Sequence, residues 1–101
     1  MNQYIYVIES PRQELVTNPD AWTEDENRIA ESHFAYLKKA TEAGTVLLAG
    51  RSPDGEGPAI VIFEASSDED ARHFMENDPF IAEGLMTARL HPFRAALVRA
   101  A

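Results

Sequence analysis

Two short runs, Tyr4-Ile5-Tyr6-Val7-Ile8 and Ala59-Ile60-Val61-Ile62-Phe63, limit the possible folds more than any other feature of the chain. Both are apolar at successive rather than alternate positions and rich in β-branched and aromatic residues, the pattern of a strand covered on both faces. Each such strand needs an apolar layer above and below it. Only two segments read as helices of useful length, and two helices cover one face of a sheet. The other face calls for a second subunit.

The first helical segment runs from Thr23 to Gly44 and places Ile29, His33, Tyr36, Leu37 and Ala40 on one face. Its ends are well marked. Thr23-x-x-Glu26 is a capping-box pattern, Glu24, Asp25 and Glu26 sit at the positive end of the helix dipole, and Lys38-Lys39 lie toward the negative end. Gly44 supplies the left-handed residue that stops the helix. The face is apolar except for His33, and a buried imidazole without a partner costs a few kcal/mol.

The remaining elements follow in order. Gln3 to Glu9 is a strand that ends at Pro11, and Ser10 to Trp22 is a long loop with a helical turn near Gln13 to Val16. Thr45 to Ala49 is a short strand, and Gly50 to Pro58 is a Gly/Pro-rich connection to the second apolar run. Ser66 or Ser67 caps a second helix, with Glu69 or Asp70 three residues on. Ala71, Phe74, Met75 and Asp78 share its inner face, and His73 points away. Pro79 breaks it, a turn covers Phe80 to Gly84, and Leu85 to His91 is a last strand that Pro92 places at an edge.

The order β-α-β-β-α-β over a single domain, residues 1–101, predicts an α+β fold of the split-βαβ or ferredoxin-like kind, with an antiparallel sheet whose first and third strands are central. The uncovered sheet face is expected to meet a second copy of the chain, giving a homodimer of the dimeric α+β barrel type. A net charge of −8 repels nucleic acid and anionic membranes. There is no cysteine, and His33, His73 and His91 share no ligand spacing, so a metal site is not expected. The first residues have neither a basic stretch nor a long apolar run, which makes the cytoplasm the expected location. No nucleotide loop, haem ligand set or nucleophile elbow is present, so no cofactor is expected.

The partner of His33 is expected at the same height on the neighbouring helix. His33 lies ten residues before the first helix ends at Ala43, and Asp78 ten residues after the second begins at Asp68. Both are then roughly 15 Å from the same end of an antiparallel helix pair. The two loops, Ser10 to Trp22 and Gly50 to Pro58, and the turn after Asp78 fall at one end of the sheet and can wall a pocket. Arg51, Ser52 and Trp22 become candidate contacts for a small ligand, and Arg51 suits a carboxylate or enolate. A carboxylate on one ring nitrogen fixes the tautomer and leaves the other nitrogen to move a proton.

Plainer readings stand beside these. A histidine on an apolar face is often a satisfied core residue, and Asp before Pro is the expected N-cap of a helix starting at Pro79. Arg51 and Ser52 can be simply solvated, Trp22 can simply pin the long loop, and Tyr4, Tyr6 and Tyr36 read as packing residues.

Taken together, His33 followed by Tyr36-Leu37 and Gly44, the segment Leu47-Leu48-Ala49-Gly50, Asp78-Pro79-Phe80 with Gly84, and Pro92-Phe93 resemble the YCII-related family. The likeness covers nearly the whole chain except Ser10 to Trp22, and Arg51 stands where many relatives have Pro. It implies a ferredoxin-like dimeric α+β barrel related to muconolactone isomerase-like proteins, with His33 and Asp78 at the active site. The expected function is cofactor-independent acid/base chemistry of isomerase, lyase or hydrolase type on a small anionic metabolite. The alternative is a ligand-binding or dimerisation module in which the same pair is structural. A cofactor-independent monooxygenase on a similar barrel is a third possibility.

Overall fold

The computed structural model describes residues 1–100. Four strands, β1 (Asn2–Glu9), β2 (Val46–Arg51), β3 (Ala59–Ala65) and β4 (Thr87–Pro92), form one antiparallel sheet in the order β2-β3-β1-β4. The helices are a single turn α1 (Glu14–Thr17), the long α2 (Glu24–Glu42), α3 (Asp68–Glu76) and a second single turn α4 (Pro79–Ala82), with a 3-10 turn at Pro19–Ala21. This is the α+β, ferredoxin-like arrangement the element order predicts, with β1 and β3 central and β4 at an edge.

Register sets which side chains face the helices. Tyr4 pairs with Phe63 and Tyr6 with Val61, and these four form the centre of the core with Leu37, Val46, Ala71 and Met75. Tyr6 and Phe63 pack edge-on at 5.7 Å between ring centroids, Phe63 meets Phe74 at 4.7 Å, and Phe74 stacks on Tyr36 at 5.2 Å. Aromatic pairs of this kind add about 0.5–1.5 kcal/mol each beyond the area they bury. The opposite face carries Ile5, Val7, Ile60 and Ile62, all only partly buried, and Leu48, which is 52% exposed. Within one chain the two central strands are therefore buried on one face only.

Both long helices begin where their caps require. Thr23 accepts from the Glu26 N–H and Glu26 returns a bond to the Thr23 N–H, while Ser67 accepts from the Asp70 N–H. Gly44 leaves α2 with φ +87°, a conformation that side chains disfavour.

Three boundaries differ from the sequence expectation. β2 continues through Gly50 and Arg51, which pair with Ile60 and Ala59, because the turn residues proper start only at Ser52. β4 starts at Thr87 rather than Leu85, since the Met86 N–H is drawn back to the Phe80 carbonyl at 2.9 Å. α3 stops at Glu76 with Asn77 as its C-cap, so Asp78 does not continue the α3 stripe; it sits in the joint between α3 and α4. No helix among the described residues is long and apolar enough to cross a membrane.

Candidate active site

α2 delivers His33 on its inner face between Ile29 and Leu37, both buried. Asp78 is delivered by the break at Pro79. The residue before a proline is pushed out of the helical region, and Asp78 adopts φ −60°, ψ 124°, turning its side chain back over the start of α4. The two residues, 45 positions apart, meet with His33 Nδ1 2.6 Å from Asp78 Oδ1.

Asp78 is completely buried and every bond it accepts is accounted for. Oδ1 takes the His33 ring and the Phe80 N–H at 3.0 Å, and Oδ2 takes the Tyr6 hydroxyl at 2.7 Å. The expected N-cap and the expected partner of His33 are thus the same carboxylate. An ionised carboxylate can only accept, so Nδ1 carries the hydrogen, and in the neutral imidazole Nε2 keeps its lone pair. The His33 side chain is 17% exposed. One flank of its ring lies on Phe80, 4.0 Å between centroids and 25° between planes.

The hydroxyls of the neighbouring phenols are already engaged. The Tyr36 hydroxyl donates to the Phe74 carbonyl at 2.9 Å, and burial, with the charge of Asp78, pushes it up to about 12. Burial, again reinforced by Asp78, raises Tyr6 well above the usual phenol range. Among the described residues no buried side-chain nitrogen or oxygen lacks a hydrogen-bond partner.

The three segments expected at this end of the sheet do converge. Trp22 lies against Phe80 at 6.3 Å between centroids, while its indole N–H donates to the Leu15 carbonyl at 2.8 Å. Trp22 therefore pins the long loop and is held one ring away from His33. α1 packs on the β2–β3 turn closely enough that a side chain on Gly55, at φ +76°, would lie 2.9 Å from Val16. Gly57 lies still closer to Ser52: an added Cβ would stand 1.9 Å from its Oγ. Ser52 holds the turn through its backbone, N–H to the Pro58 carbonyl at 3.1 Å.

Arg51 owes its placement to an irregularity. Val46 pairs with Phe63 but Leu48 pairs with Ile62, so β2 carries one extra residue at Leu47. The bulge reverses the alternation beyond it, and Arg51 comes into register with Ala59, itself opposite Ile8, on the helix side of the sheet. Without the bulge Arg51 would face the other way. Two concavities of the chain lie elsewhere, one lined by Met1 to Tyr4, Asp68 and Pro92 to Arg94, the other along the outer surface of α2 between Glu24 and Glu31. Neither includes His33. No group of three metal-ligating side chains is assembled among the described residues.

Sequence reasoning missed Tyr6 and Phe80 as members of this cluster. For Tyr6 the signal was present: in a strand with Tyr4 and Tyr6 on one face, a buried hydroxyl must have an acceptor.

Residues 3–93 match the model of the YCII-related domain. The chain belongs to the YCII-related family. Among solved structures, this YCII-related chain is similar to 5-chloro-2-hydroxyhydroquinone dehydrochlorinase (TftG) from Burkholderia phenoliruptrix AC1100, in complex with 2,5-dihydroxybenzoquinone. Identity is 22%, the alignment covers 93% of this chain and 94% of that one, and the TM-score is 0.62, which establishes a shared fold. Comparison with curated proteins finds no match.

Proposed function

We propose that this YCII-related protein is a cofactor-independent enzyme in which His33 is the general acid/base and Asp78 orients it. The observation that carries the reading is the 2.6 Å contact between His33 Nδ1 and a fully buried Asp78, with the ring still reachable from solvent. Nε2 removes a proton from carbon or oxygen next to a carbonyl. The imidazolium so formed is held by Asp78 and returns the proton to another atom or to a departing group, giving isomerisation or elimination.

The substrate is a small, anionic, oxygenated or cyclic metabolite. Arg51, the one cation between Gly50 and Pro58, is the group to meet a carboxylate or enolate, with Ser52 and Trp22 completing the contacts. The similar fold of a dehydrochlorinase bound to a dihydroxybenzoquinone supports this choice of substrate class. The active form is a homodimer joined through the half-buried sheet face.

The test is proton exchange and turnover with a panel of hydroxylated quinones and oxo acids in deuterated buffer, followed by NMR. His33→Ala and Asp78→Asn should keep the fold and lose turnover by 100-fold or more, on the order of what a positioned acid/base supplies. Undiminished turnover in His33→Ala would end this reading. A second reading, a binding or dimerisation module, draws on the bonds Asp78 makes to Tyr6 and Phe80. Unfolding of both variants would favour it.

A further inference from the structure

Three tyrosines lie between the sheet and the helices, Tyr4 and Tyr6 from β1 and Tyr36 from α2, and two have ordinary partners. Tyr4 donates to Asp68 at 2.7 Å near the far end of the sheet, and Tyr36 donates to a backbone carbonyl. Tyr6 alone directs its hydroxyl at the carboxylate that holds His33. Its ring makes the same contacts with Phe63 and Phe74 that a phenylalanine would make, so packing does not explain the hydroxyl.

We propose that Tyr6 is a positioning residue for the His33–Asp78 pair: its hydroxyl locks the carboxylate so that Oδ1 faces Nδ1, and lowers the pair's affinity for a proton so that Nε2 stays free. This rests on the assignment of His33 as the proton-transfer group. Two of the bonds to Asp78, from the Phe80 N–H and the Tyr6 hydroxyl, come from fixed elements on opposite sides, α4 and β1, and leave the carboxylate one orientation. A hydrogen bond to an anion stabilises it against protonation, so removing the Tyr6 donor makes the pair take up its proton at higher pH. Because burial and the charge of Asp78 both raise Tyr6, it remains a donor at every working pH. The titratable groups facing the pair are Tyr6 from β1 and Tyr36 from α2; among the described residues Asp78 has no ion-pair partner except His33.

The experiment is a ring nitrogen-15 NMR titration of the histidines in the full chain, with exposed His73 on α3 as the internal reference. The wild-type protein should show His33 protonated at Nδ1. Tyr6→Phe should raise the His33 midpoint by about one pH unit, and move the acidic limb of kcat/KM the same way. Tyr4→Phe, which removes a phenol bonded to a different carboxylate on the same strand face, should leave His33 where it was. An ortho-fluorinated tyrosine at position 6, a stronger donor of the same shape, should lower the midpoint, and it decides the matter if Tyr6→Phe does not fold. A midpoint that stays at the wild-type value in a folded Tyr6→Phe or in the fluorinated protein overturns the proposal. The titration needs no substrate, so a moved midpoint beside undiminished turnover in His33→Ala would sink the catalytic reading alone.

Discussion

Asp78 performs two jobs with one side chain, and its substitutions separate them. Asp78→Ala removes the N-cap of α4, strands the Tyr6 hydroxyl in the core and frees the His33 ring. Losses of this kind sum to about 3–5 kcal/mol, to be read from urea unfolding. Asp78→Asn keeps an acceptor for the Phe80 N–H and should cost about 1–2 kcal/mol. With the charge gone, ring nitrogen NMR should also show His33 losing its fixed Nδ1–H tautomer. His33 and Asp78 were legible in the sequence because each breaks a local pattern, one as a polar residue on an apolar stripe, the other as an acid before proline. Their meeting was anticipated on the wrong ground, a continued α3 face, when the operative cause is the turn that Pro79 imposes. For Tyr6 the sequence implied a buried hydroxyl in need of an acceptor but not which acceptor, since only the fold brings Asp78 above it.

At the scale of elements, α2 is held at its start by the capping box and by Arg12, whose guanidinium reaches Glu26 at 2.6 Å and Glu14 at 2.9 Å. The Thr23 N–H, and then Arg12, hold the Glu26 carboxyl below its ordinary value of 4.5. A carboxyl whose folded value is depressed stabilises the fold above its unfolded value and loses that contribution as the pH falls through the folded one. Glu26→Gln should therefore be less stable than wild type at neutral pH, and the gap should close as acid unfolding is followed below pH 4.5. Trp22→Ala removes the bond to Leu15 and the contact with Phe80. Amide exchange in α1 should then accelerate at least tenfold while the core strands keep their protection. The caps of both long helices could be read from single residues. The β2 bulge could not, because nothing local to Val46-Leu47-Leu48 says which of three apolar residues is the extra one; pairing with β3 decides it.

For the whole molecule, the sheet face bearing Ile5, Val7, Leu48, Ile60 and Ile62 is the largest remaining consequence of the two apolar runs. Their lack of alternation was readable, and it is the ground on which a second copy of the chain is proposed over this face. Ile62→Lys should convert a dimer to monomer in light scattering after gel filtration, with little change in the helix-side core, since Ile62 faces away from Tyr6 and Phe63. The architecture of Asp78 carries one more implication, for sorting members of the family. A chain that had abandoned its chemistry would still need an acid there to start α4 and to satisfy the phenol beneath it, but would have no use for the imidazole. On the proposed function, a family member that keeps the aspartate but lacks the histidine should fold alike and show no turnover.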